Sequence, residues 1–232
     1  MNRFSKVRRT DWNSRHDMYD LAGSSVGRRL SAVQEQVRTA LDVCPSGPVR
    51  VISVCAGQGR DLLGVLRDHP RRDDVIGRLV ELDAANVAAA RAAAEAAGLH
   101  RIEVVQGDAA VTDAYVGLAP ADLVLVCGVF GNISDEDVER TIGYCAQLCR
   151  DGGTLLGTRH RKAPDLVPQI CDWLEARGFE RRWLSAPDAG FGAGAHRFTR
   201  SPEPLSPGEC MFTFVGYDVL AATGGRRPDP AR

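Results

Sequence analysis

The chain has 232 residues, of which 44% are hydrophobic and 25% charged, a balance that fits one globular domain able to bury a sizeable core. Its net charge of −1 gives no field to gather nucleic acid or an anionic membrane, and no apolar run reaches the roughly 20 residues a bilayer needs. The opening Met-Asn-Arg-Phe-Ser-Lys-Val-Arg-Arg leads into no apolar stretch, so no secretory signal is expected; seven cysteines with no Cys-x-x-Cys pair predict free thiols in a reducing cytoplasm.

Residues 1–20 are polar, with Trp12, His16 and Tyr19 interspersed. Ser24-Ser25 can cap a helix from Val26 to Leu41, where Val26, Leu30, Val33, Val37 and Leu41 recur at helical steps. The Pro45–Pro48 stretch breaks it. Val51, Ile52 and Val54 then read as a strand covered on both faces. Gly57 and Gly59 make a tight turn into a helix from Asp61 to Arg67. Strand two is expected over Gly77–Leu82, and Asp83 caps an alanine-rich helix, Asn86–Ala97, that Gly98 ends. Strand three is Ile102–Val105, and strand four begins at Ala121. Ser134 and Asp137 resemble a capping box ahead of Val138, Ile142 and Cys145. Asp151-Gly152-Gly153 turns into strand five, and Pro164 precedes a helix that ends near Gly178.

Phe179–Leu184 and Met211–Val215 are expected to form a closing antiparallel hairpin, with Ser185–Glu209 as a Gly- and Pro-rich loop between them. Strands alternating with helices predict an α/β fold: a doubly wound, Rossmann-like, seven-stranded sheet, mostly parallel, with an antiparallel C-terminal hairpin. The expected division is an N-terminal cap segment and helix over 1–48, a main domain over 49–223 and a disordered tail over 224–232.

Ligands on such a sheet sit beyond the carboxyl ends of the strands. Glu81 lies 24 residues after Gly57, about one βαβ unit, where a ribose-binding carboxylate belongs. A dinucleotide fingerprint needs glycine where Leu62 stands, and no P-loop Gly-Lys-Ser/Thr occurs. A nucleoside ligand without a pyrophosphate remains.

In these motifs the chain resembles the class I S-adenosylmethionine-dependent methyltransferases over residues 49–217. The family's acidic-x-G-x-G-x-G stretch corresponds to Ser53-Val54-Cys55-Ala56-Gly57-Gln58-Gly59, with Ser53 in place of the acid and Cys55 in place of the first glycine. The resemblance implies S-adenosyl-L-methionine as cofactor and S-adenosyl-L-homocysteine as product. It assigns cofactor contacts to Cys55, Ala56, Gly57, Gln58, Gly59, Asp61 and Ala109, the ribose to Glu81 and the adenine to Leu82 and Asp108. Cys127 and Gly128 would lie under the sulfonium, and Tyr19 would fold over the cofactor. The implied reaction is in-line methyl transfer to an O, N or C atom of a small-molecule acceptor. A noncatalytic cofactor-binding protein and an aminopropyl-type transferase share the fold and stay open.

Methyl transfer asks mainly for alignment behind an activated methyl and exclusion of water. Where the acceptor arrives protonated, a base is needed. His160, after strand five in Thr158-Arg159-His160-Arg161-Lys162, is the candidate base, its neighbouring cations favouring the neutral ring. His196 is a second, on a glycine-flanked loop suited to a lid. Arg159 and Arg161 could fork an anionic acceptor, and Phe130 and Asn132 follow strand four where acceptors sit in the family. No metal is implied, because no carboxylate follows strand four before Asp135. No nucleic acid or membrane partner is expected, and a homodimer is compatible with this reading.

Overall fold

The computed structural model describes residues 24–224. Seven strands form one sheet: β1 (Val49–Val54), β2 (Val75–Glu81), β3 (Ile102–Gln106), β4 (Ala121–Val126), β5 (Cys149–His160), β6 (Phe179–Leu184) and β7 (Phe191–Phe198). Their order is β3-β2-β1-β4-β5-β7-β6. The first five run parallel, and β7 is antiparallel to both β5 and β6. Among the described residues six α-helices accompany the sheet: α1 (Ser25–Val43), α2 (Arg60–Leu66), α3 (Ala84–Ala96), α4 (Asp135–Leu148), α5 (Val167–Ala176) and α6 (Tyr217–Thr223).

The central pair explains the architecture. Val51, Ile52 and Ser53 of β1 align with Leu123, Val124 and Leu125 of β4, all buried. Because side chains alternate faces along a strand, each strand supplies two cores. Val51, Leu123, Leu125 and Leu156 pack with Val37 and Leu41 of α1, Leu62 and Leu66 of α2, and Val87 and Ala90 of α3. Ile52, Val124 and Leu155 pack on the other side with Ile142 and Cys145 of α4 and Ile170 and Leu174 of α5.

The helix starts follow from their caps. Ser24 Oγ accepts from Gly27 N–H at 2.9 Å, Asp83 Oδ1 accepts from Ala85 and Asn86 N–H, and Ser134 Oγ accepts from Asp137 N–H. Each satisfies a donor that the first helical turn leaves unpaired.

One expected strand is corrected. The partner of β6 is Phe191–Phe198, not Met211–Val215. Phe191–Phe198 sits between β5 and β6, with Phe191 facing His160 and Arg197 facing Thr154. Its Gly192-Ala193-Gly194-Ala195 stretch carries no apolar run, which disguises a buried strand as a flexible loop. The small residues serve close packing: a Cβ on Gly192 would come within 2.3 Å of Val167 Cγ2 on α5. Pro187–Ala189 forms a 3-10 turn, and left-handed Gly190 (φ 79°) reverses the chain. Met211–Val215 is instead an extended strap, described with the site below.

Gly192→Ala should therefore destabilise the fold by about 1–3 kcal/mol through overpacking against Val167. Urea unfolding measures this, and an unchanged midpoint would mean that α5 gives way freely.

Candidate functional site

The carboxyl ends of β1 to β5 meet along one edge of the sheet, and each hands a short loop to the same cleft. After β1 the chain turns through left-handed Cys55 (φ 52°), Gly57 (φ 56°) and Gly59 (φ 67°). Cys55 is the one non-glycine residue with positive φ among the described residues, a conformation costing about 1–2 kcal/mol. The turn is held by Ala56 N–H donating to Val80 O at 3.0 Å and Gly59 N–H donating to Ala56 O at 2.8 Å. Gly59 also has no room for a side chain, since a Cβ there would lie 2.6 Å from Leu79 Cδ2.

Glu81 closes β2 and clasps that turn. Its Oε2 accepts from Gly57 N–H and its Oε1 from Asp83 N–H, both at 2.8 Å. The next residue, Leu82, is 68% exposed, an apolar side chain left uncovered beside a polar clasp. Across the cleft, Asp108 Oδ1 accepts from Ala110 N–H at 2.9 Å, and the buried Tyr115 hydroxyl donates to Ala109 O at 2.7 Å.

Asp61 lies in the first turn of α2, at the same edge of the sheet. Burial pushes its carboxyl up to about 6, against the pull of the Leu62 amide and of Arg29 on α1. Cys55 and Cys127 are held as thiols: burial raises both, reinforced by Glu81 and Asp108 for the first and by Asp61 for the second. A partly buried carboxylate with a raised pKa favours a cationic neighbour. Gly128, past β4, donates its N–H to Thr158 Oγ1 at 2.9 Å, and among the described residues nothing lies within 4 Å of where its side chain would start.

Residues 23–176 match the family described as "Putative methyltransferase" (Methyltransf_20). The chain belongs to this methyltransferase family. Solved structures share its fold. An O-methyltransferase family protein from Burkholderia thailandensis is 21% identical with a TM-score of 0.61, covering 84% of this chain and 62% of its own length. CurJ carbon methyltransferase is 14% identical with a TM-score of 0.66, covering 82% and 59%. The 1,6-didemethyltoxoflavin-N1-methyltransferase of Burkholderia thailandensis, solved with bound 1,6-didemethyltoxoflavin and S-adenosylhomocysteine, is 17% identical with a TM-score of 0.60, covering 82% and 85%. The chain thus spans less than two thirds of the first two structures. No curated protein matches it. Among the described residues no helix is long and apolar enough to cross a membrane.

In this member of the family the residues expected around a cofactor come together: Cys55 to Gly59, Asp61, Glu81, Leu82, Asp108, Ala109, Cys127 and Gly128 all lie at the carboxyl edge of the sheet. Tyr19, like Trp12 and His16, lies outside the described residues. The residues expected at the acceptor divide.

His160 ends β5 at that edge. Its Nδ1 accepts from Lys162 N–H at 3.3 Å, which leaves the proton of the neutral ring on Nε2. Burial, then Arg159 and Lys162, lower its pKa and keep it uncharged. Arg159 and Arg161 are not free forks. Arg159 is buried, donates to Phe130 O and pairs with Asp135 at 3.3 Å; Arg161 pairs with Asp165 at 2.8 Å. Phe130 is a core residue, 1% exposed, fitted over Gly157, where a Cβ would meet its ring at 3.0 Å. Asn132 is spent on the chain itself: its Nδ2 donates to Gly128 O at 2.7 Å and its Oδ1 accepts from Tyr217 N–H at 3.2 Å.

His196 is corrected from a lid loop to the interior of β7, opposite Leu155 and Arg181 and away from the carboxyl edge. It is 3% exposed and neither ring nitrogen has a partner among the described residues. Glycine flanks suggest mobility in sequence; in the sheet they give the ring its space, 2.8 Å from where a Gly194 Cβ would stand.

Unseen in the sequence was the strap over residues 210–217. Met211 N–H donates to Ala110 O at 2.8 Å, Thr213 N–H to Asp137 Oδ2 at 2.7 Å, and Val215 and Gly216 N–H to Asn132 O at 2.9 and 3.0 Å. Arg140 Nε and the Thr141 hydroxyl donate to Met211 O. It delivers Tyr217 edge-on to His160, ring centroids 4.6 Å apart. Every anchor is long-range, so no local pattern could reveal it.

The buried His196 has a pH signature. Burial, then Arg181, depress its pKa to about 4, while the unfolded chain protonates near 6.5. The unfolded state therefore binds more protons as pH falls, and stability whole above pH 6.5 is lost toward pH 4, about 2 kcal/mol of it by pH 5. His196→Leu should remove that share of the loss between pH 7 and pH 5, as read from urea midpoints at each pH. Parallel losses in both proteins would show that His196 does not titrate this way.

Proposed function

We propose that this methyltransferase binds S-adenosyl-L-methionine in the cleft at the carboxyl edge and transfers its methyl group to a small-molecule acceptor. In this reading residues 49–223 are the catalytic domain and residues 1–48 a cap segment with its helix. The observation that carries it is the Glu81 clasp. A carboxylate fixed by Gly57 and Asp83 amides, with an exposed Leu82 alongside, pairs polar and apolar groups as a nucleoside requires. Each Glu81 oxygen keeps acceptor capacity after its backbone bond, enough to take the two ribose hydroxyls. Leu82 would lie against the adenine and the Asp108 loop would receive its edge. Asp61, partly buried, would face the cationic methionine end. The S-adenosylhomocysteine bound in the toxoflavin-type enzyme, a protein of the same fold, supports this cofactor.

The protein's part in the chemistry is positional. The cofactor supplies the activated methyl; Gly128 leaves space at the end of β4 for an acceptor to approach in line. His160, as a neutral ring with its proton on Nε2, would orient the acceptor as a hydrogen-bond donor. Taking a proton at Nε2 would require the ring to shift its proton to Nδ1 and give up the Lys162 amide.

Glu81→Ala should weaken S-adenosylmethionine binding by roughly 1.5–3 kcal/mol, a ten-fold to more than hundred-fold rise in Kd by calorimetric titration. Unchanged affinity would remove Glu81 from the site, and absence of binding by the folded wild-type protein would overturn the enzyme reading. Measured against any accepted substrate, His160→Ala should slow turnover about ten-fold or more while leaving cofactor Kd unmoved. Full activity would leave His160 a rim residue.

A further inference from the structure

Three groups converge on the acceptor side of the cleft without being absorbed by the cofactor reading: His160, Lys162 and Tyr217. Tyr217 arrives on the strap and meets His160 in a T-shaped contact at 4.6 Å and 77°. Lys162 Nζ stands 4.3 Å from the centroid of the same Tyr217 ring. The corner is firmly built, since Tyr217 N–H donates to Asn132 Oδ1 and the imidazole lies against Gly131, 3.3 Å from where a Cβ would be.

The charges at this corner are unequal. Arg159 and Arg161, the flanking cations, are each paired with a carboxylate, Asp135 and Asp165. Among the described residues no carboxylate pairs with the exposed Lys162, whose described contact is the tyrosine face. His160 adds a donor at Nε2, because its Nδ1 is occupied by the Lys162 amide. A cation and a donor beside an aromatic wall match a flat ring that carries an anionic oxygen.

We propose that the 210–217 strap forms the acceptor wall, and that Tyr217, His160 and Lys162 select an aromatic acid as the acceptor. The inference rests on the cofactor reading above and names the substrate class of that same site. Tyr217 supplies the surface for the ring, Lys162 the charge and His160 the directional hydrogen bond. Asp137 is a positioning residue: it is 1% exposed, holds Thr213 N–H and pairs with Arg140 at 2.6 Å, and so fixes the strap that carries Tyr217.

The test is calorimetric titration of the protein loaded with S-adenosylhomocysteine. The probes are 4-hydroxybenzoate, its neutral isostere 4-hydroxybenzamide and cationic tyramine. The acid should bind about ten-fold or more tightly than either of the others, the worth of one charge-assisted bond. Lys162→Met should erase that preference, Lys162→Arg should keep it, and Tyr217→Ala should weaken acid and amide alike where Tyr217→Phe does not. Each variant should bind S-adenosylhomocysteine within about two-fold of wild type, which separates loss of the wall from loss of the fold. An acid that binds no better than the amide, or a preference that survives Lys162→Met, would overturn the proposal. Wild-type protein that fails to take S-adenosylhomocysteine would instead overturn the cofactor reading beneath it.

Discussion

The Glu81 carboxylate is the interaction around which the site is assembled. It joins two chain segments 24 residues apart by receiving Gly57 N–H, and it orders its own loop by receiving Asp83 N–H. Its backbone carbonyl receives Gly107 N–H at 3.0 Å, so the turns after β1, β2 and β3 are tied through one residue. Charge-assisted bonds of this kind are worth about 1.5–3 kcal/mol each, comparable to the cost of a left-handed Cys55. The clasp can therefore hold a turn that lacks the first glycine of the related motif, and Asp83 goes on to cap α3 with the same loop.

A second device closes the other half of the cleft. The strap begins at the loop after β3, through Met211 and Ala110, crosses α4 at Arg140, Thr141 and Asp137, and ends on Asn132 beyond β4. Its own Met211 and Phe212 are buried, 0% and 2% exposed. Apolar burial and backbone bonds together give a segment without regular structure a definite path, and that path sets where Tyr217 stands against His160. The two parts of this edge are thus organised differently, one by strand ends and the other by a long-range tie.

Steric economy along β5 and β7 links both halves. Gly157 admits the Phe130 ring, Gly192 admits Val167, and Gly153 lies so close to Ala121 O and Arg150 O that a Cβ would be 2.9 Å from each. Arg159 and His196 are bulky residues of these strands that are buried and expensive to disturb. The basic run after β5 is consequently less basic than its letters: two arginines are neutralised by Asp135 and Asp165, and within the run only Lys162 is exposed with no carboxylate partner among the described residues.

The sequence by itself determined the parallel sheet, the helix caps at Ser24, Asp83 and Ser134, and the meeting of Gly57, Glu81 and Asp108 at one edge. These depend on apolar runs, capping side chains and βαβ spacing, all local or nearly so. It could not distinguish β7 from a loop, because glycine and alanine were chosen for contact with α5 and leave no hydrophobic period. Nor could it show that Phe130 is core, that Asn132 is a tie, or that Arg159 is already paired. Those facts depend on partners 24 to 85 residues away for Asp135 and Tyr217, and only the tertiary structure brings such groups together.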